Sequence, residues 1–235
     1  MSPAGGTITV LAGAVLLRLT VTGTYTRYVR AGLGPWLVVS AVVLIVLGIV
    51  TVVRALRGAA RVEVHDDGHE HGSGPGVGWL LLAPIAALLL VAPPTLGSYG
   101  VGRGATVDVR AGAPAFAPLP ASDGPVPMTL LEFGQRAFDH GGDTLQDASV
   151  QLTGFVAADT PGGFRLARYQ IACCAADAAA VVVRVVGVEG SPPRRDAWVT
   201  VTGSLGPGGD DDDGDVPVLA ATSVVEVPPP DDPYE

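Results

Sequence analysis

The sequence predicts a membrane protein in two halves: an α-helical N-terminal half with three spans and a small all-β C-terminal domain, a five-stranded barrel. Three observations carry this. Hydrophobic residues make up 48% of the 235-residue chain and charged residues only 16%, against the roughly 25% charge of an ordinary soluble domain. Charge is unevenly spread: residues 1–100 hold six Arg and four acids, whereas residues 101–235 hold eight Arg and 19 acids. The first half also carries long uncharged apolar runs, and the second carries short alternating ones.

The spans come first in the chain. Thr7–Thr24 is apolar apart from its hydroxyls and Arg18; Trp36–Val53 is 18 residues and Val77–Leu96 is 20 residues without a charge. About 20 apolar residues cross a bilayer core of roughly 30 Å. Trp36 and Trp79 stand near span ends, where indole favours the headgroup region. The segment before Thr7 lacks the basic residues of a signal peptide, so the first span is retained rather than cleaved. With residues 1–100 as the membrane domain, the Arg54, Arg57 and Arg61 cluster beside the second span puts that loop inside the cell. The C-terminal domain is then extracytoplasmic in a multi-pass protein of the cell membrane.

Residues 101–127, dense in Pro, Gly and Ala, read as a linker. The soluble domain is 128–227. It opens on a short helix within Met128–His140 and continues as strands at 150–156, 164–172, 181–188, 198–203 and 217–227. The order of strand lengths resembles that of an OB-like barrel, with Gly154 and Gly203 where strands bend. The run Gly206–Asp215 reads as a solvated loop. Residues 228–235 (PPPDDPYE) are disordered by composition.

The formal charge of −9 argues against nucleic acid, which needs a basic face. No GxSxG, HExxH, P-loop or GxGxxG pattern occurs, so an enzyme is not expected. Two tracts do carry metal-ligand chemistry. Cys173-Cys174 with Asp177 gives two sulfurs and a carboxylate within five residues, a donor set for zinc or another soft or borderline divalent ion if the chain turns there. The His-rich loop 62–76 holds His65, His69 and His71, a flexible chelating tract. His140 reads as a turn residue. Arg18, a charge within a span, costs about 2.5–3.5 kcal/mol to insert and should meet a protein partner in the membrane or reach its surface.

Several of these segments together resemble the YcgQ-like family of bacterial membrane proteins, described as permease subunits. The matching residues are Thr22-Gly23-Thr24-Tyr25 with Tyr28-Val29, His71-Gly72, Pro94-Thr95-Leu96-Gly97-Ser98 and, most diagnostic, Arg168 through Ala178 (RYQIACCAADA). The resemblance runs from about residue 10 to 227. It implies an accessory subunit of a larger multi-spanning permease, assisting transport of a metal ion, zinc favoured, or a small solute. The residues themselves leave two alternatives open: a membrane-anchored thiol-redox protein working through Cys173 and Cys174, and a purely structural assembly protein.

Overall fold

A computed structural model describes residues 3–59, 83, 95–111, 116–119, 122, 124–188, 190–207 and 216–235. The chain forms two compact units, residues 1–26 with 31–94 and residues 27–30 with 95–235.

In the first unit, α1 (Pro3–Val21) and α2 (Gly34–Ala59) are both long and apolar enough to cross a membrane. At 1.5 Å per residue they run about 28 and 39 Å. Small residues decide how the two helices meet. Gly6, Gly13, Ala41 and Gly48 are buried. A Cβ on Gly48 would lie 2.6 Å from Val10 and 2.9 Å from the Gly6 carbonyl; one on Gly13 would lie 2.9 Å from the Ala41 carbonyl. Backbone meets backbone there, the contact by which helices associate in lipid. The bulky residues point away: Val39, Leu47 and Leu56 are 56%, 56% and 63% exposed. The third expected span, 77–96, lies outside the described residues apart from 83, 95 and 96, and so does the loop 62–76.

One expectation is corrected here. Arg18 stands in the last turn of α1 and not in the middle of a span over 7–24, because the helix runs Pro3–Val21 and ends three residues after it. A cation in a last turn faces the negative end of the helix dipole.

The second unit is mostly β-sheet. After the short β1 (Ala105–Thr106) and β2 (Val126–Pro127) comes α3 (Leu130–Phe138), N-capped by the Thr129 hydroxyl, which accepts the Glu132 N–H. Then follow β3 (Val150–Thr160), β4 (Gly163–Gln170), β5 (Ala179–Val186), β6 (Trp198–Leu205) and β7 (Val218–Glu226). These fall on the five segments where alternation predicts strands. β3 pairs with β4 and β6, β4 with β5, and β7 with both β6 and β5, the last in parallel. The chain of pairings therefore returns to its start.

Period-two alternation gives each strand two faces. One face supplies the main core: Leu152, Val156, Phe164, Leu166, Val181, Val183, Val185, Val199 and Val201, all fully buried, with Leu130 and Phe133 of α3 joining them. Burying side chains of this size contributes about 1.5–3 kcal/mol each. The opposite face supplies a second cluster of Phe155, Ala167, Tyr169, Ala180 and Trp198, with Ile171 beyond β4 and Tyr234. Phe155 stacks on Tyr169 at 5.7 Å and meets Trp198 edge-on at 5.8 Å.

Two further readings need correction. Residues 101–127 do not behave wholly as a linker: β1 pairs with β5, β2 pairs with β3, and Val109 is buried against Gly134. Nor is 228–235 disordered. Tyr234 is 5% exposed and bridges to Tyr169. The Arg168 guanidinium donates to the carbonyls of Asp232, Pro233 and Tyr234, at 2.7, 3.3 and 3.2 Å. The Glu235 carboxylate accepts the Leu130 and Leu131 N–H groups at the start of α3. One arginine satisfying three carbonyls and one buried aromatic outweigh a Pro/Asp composition.

Candidate metal centre

Cys173 and Cys174 lie in the connection between β4 and β5, where the chain leaves the strand after Gln170 and makes a 3-10 turn at Ala175–Asp177. The turn decides where the thiols point. In a continuing strand, neighbouring side chains face opposite ways. Here Asp177 folds back over the loop. Its carboxylate accepts the N–H of Ala172 at 2.9 Å, of Cys173 at 2.9 Å and of Cys174 at 3.3 Å. Both sulfurs are thereby brought to one side. Cys173 Sγ lies 3.7 Å from Cys174 Sγ and donates its S–H to Asp177 Oδ2 at 2.9 Å. Among the described residues, these three form the group of metal-ligating side chains that converges, with all donor atoms within 4.8 Å. Cys173 and Asp177 are exposed and Cys174 is half-buried.

The distances suit a tetrahedral ion. Two thiolates bound at 2.3 Å with tetrahedral angles stand about 3.8 Å apart, whereas the same bonds in line would need about 4.6 Å. A carboxylate oxygen on the same ion would stand about 3.5 Å from each sulfur. The shorter contact of 2.9 Å is therefore the S–H···O bond of the protonated thiol. An ion replacing that proton would need Asp177 to swing out by about 0.6 Å or to serve only as the brace of the loop.

The loop is backed by a distant segment of its own unit. Val29 forms an antiparallel bridge with Cys174. The Arg30 N–H donates to the Cys173 carbonyl at 3.1 Å, and the Ala175 N–H donates to the Tyr28 carbonyl at 2.7 Å. The Tyr234 hydroxyl donates to the Arg27 carbonyl at 2.7 Å. None of these bonds has a local signal in the sequence, because they join residues more than 140 positions apart.

The shared proton sets the electrostatics. The hydrogen bond to Asp177, followed by that to Cys174, pushes the Cys173 thiol up to about 11 from 9.0. The thiol hydrogen bond, followed by the Cys173 and Ala172 N–H groups, holds Asp177 down at about 2 against 3.8. The signs follow from linkage. The carboxylate's contribution to loop stability is present above 3.8 and lost as pH falls through about 2; the thiol's is present below 9.0 and lost as pH rises through about 11. The Ala172, Cys173 and Cys174 amide resonances should therefore hold their positions down to about pH 3. A midpoint near the ordinary carboxylate value would contradict the geometry.

A substitution gives a second check. Asp177→Asn keeps the shape but removes the charge that opposes the thiolate. If the Cys173 pKa falls by about two units, the thiolate fraction at about pH 8 rises roughly 100-fold while intrinsic nucleophilicity falls roughly tenfold. Alkylation of Cys173 by iodoacetamide should accelerate about tenfold; an unchanged rate would mean that the carboxylate does not hold the proton.

Of the other residues the sequence singles out, His65, His69 and His71 lie outside the described residues. His140 sits in the left-handed region at φ 47°, a turn residue as read. Arg18 is exposed.

Residues 6–104 match the DUF1980 N-terminal domain and residues 137–235 match the DUF1980 C-terminal domain. No curated protein and no solved structure matches the chain.

Proposed function

The chain belongs to the DUF1980 family, and on that premise we propose that it is an accessory membrane subunit that binds a divalent transition metal, zinc favoured, for a larger multi-spanning permease. The observation that carries the reading is the thiol pair 3.7 Å apart on an Asp-braced turn. That spacing matches the bite of a tetrahedral ion and falls short of a linear one. With two thiolates and at most one carboxylate, the site leaves a coordination position open to water or an incoming donor. Its exposure suits an ion that is passed on more than one sealed in.

The pairing sequence β3-β4-β5-β7-β6 and back to β3 supports reading the domain as an OB-like five-stranded barrel. Segment 27–30 belongs with the sheet, although it lies between α1 and α2. The uncharged apolar run at 77–96 is long enough for a third span. The Arg54, Arg57 and Arg61 cluster puts the far end of α2 inside the cell, and the sheet and its thiols outside. The bulky outward residues of α1 and α2 face lipid and the permease, with Arg18 at the rim of that contact. His65, His69 and His71 would then gather the ion on the opposite side. No catalytic step is assigned.

A thiol-redox role fits the geometry less well. Redox-active cysteines are kept as thiolates by cationic surroundings, whereas Cys173 shares its proton with a carboxylate.

Elemental analysis tests the proposal. Full-length protein purified in mild detergent with zinc should hold about one equivalent at this site, and Cys173→Ser/Cys174→Ser should lose it with its far-UV spectrum intact. Equal zinc in the two proteins would overturn the metal assignment. Absence of a many-span protein from the purified complex would overturn the accessory role.

A further inference from the structure

The main-chain bonds behind the thiols suggest how the site is regulated. We propose that metal binding at Cys173 and Cys174 clasps the Arg27–Arg30 segment, so that occupancy of the site is coupled to the order of the connection between α1 and α2. This rests on the metal reading above and adds to it a regulatory link.

The same short stretch of backbone serves both functions. Cys173 offers its sulfur to the ion and its carbonyl to the Arg30 N–H. Cys174 offers its sulfur to the ion and is the bridge partner of Val29. Ala175, next in the chain, donates its N–H to the Tyr28 carbonyl. An ion held by both sulfurs fixes the torsions of residues 173 and 174, and those torsions aim the carbonyl and N–H that grip residues 28–30. Ordering already supplied by the ion need not be supplied again when the segment docks, so each event favours the other. The coupling is reciprocal: whatever loosens residues 27–30 must weaken metal binding by the same factor. The Tyr234 hydroxyl, bound to the Arg27 carbonyl, is the second holder of the segment.

The segment carries its own reporter. Trypsin cleaves after Arg27 and Arg30, and cleavage requires the backbone to come free. Arg194 lies in the connection between β5 and β6, with its side chain 89% exposed and, among the described residues, no hydrogen bond to residues 27–30 or 173–175; it serves as the internal control. In full-length protein in mild detergent, saturating zinc should slow cleavage after Arg27 and Arg30 about tenfold relative to Arg194. Cys173→Ser/Cys174→Ser should show no zinc effect. Tyr234→Phe, which keeps the ring but not the hydroxyl, should cut faster and bind zinc several-fold more weakly. Protein carrying stoichiometric zinc at the thiols yet cut at unchanged relative rates would overturn the coupling and leave the metal site standing. Failure to bind zinc at the thiols would overturn both.

Discussion

Gly203→Ala is expected to destabilise the β domain by about 3 kcal/mol or more. Gly203 lies in β6 where its register with β7 slips, between Thr202 and Gly203. A Cβ there would run into the carbonyl oxygen of Ala220, with the carbonyl carbon at 2.9 Å and the Ala221 Cα at 3.1 Å. Those atoms belong to the neighbouring strand's backbone and cannot rotate away, so the pairing itself must shift. Glycine is used at such bends because it lets two backbones approach. Denaturant unfolding followed through Trp198 fluorescence would measure the loss. Gly124→Ala, where a Cβ meets nothing within 4 Å, should change stability by less than about 0.5 kcal/mol. Equal midpoints for the two variants would show that the β6–β7 pair has room it is not expected to have.

Tyr234→Ala should cost about 3–4 kcal/mol in the same measurement. The ring is 5% exposed and belongs to the cluster of Phe155, Tyr169 and Trp198. Its removal leaves a cavity and strips the hydroxyl from the Arg27 carbonyl. Tyr234→Phe keeps the volume and should cost only about 1 kcal/mol. A small loss on Tyr234→Ala would mean that the segment 228–235 does not hold the sheet, returning it to the disorder its composition suggests.

The contrast between these two positions separates what could be read from the sequence from what could not. Alternation exposes the strands, because Val150-Gln151-Leu152 or Trp198-Val199-Thr200-Val201 must put every second residue on one face. Gly203 follows an alternating run, which marks a bend. Cys173, Cys174 and Asp177 are close in sequence, so one turn suffices to gather them. The segment PPPDDPYE contains one aromatic among residues typical of solvated chain. Its order comes from Arg168, 64 to 66 positions earlier, and from the cluster around Tyr169. Segment 27–30 is the same case at longer range: its partners are main-chain atoms of residues 173 to 175, which any side chain there would leave in place, and the Tyr234 hydroxyl more than 200 positions away. Arg18 differs for a simpler reason: apolarity marks where a helix can lie in lipid but not where its last turn ends, and α1 stops at Val21.

The return of the strand pairings to their start has a consequence for the timing of folding. β5 cannot complete its second ladder until β7, more than 30 residues later, has been synthesised. Until then β5 and β6 each expose one row of unpaired backbone groups, a template for pairing with another chain. Contacts so far apart in sequence also form slowly, on the scale of milliseconds to seconds. The nascent domain therefore passes through a sticky, half-made stage whose length is set by translation through residue 226, and its yield in a cell should rise when that last stretch is translated quickly or held by a chaperone.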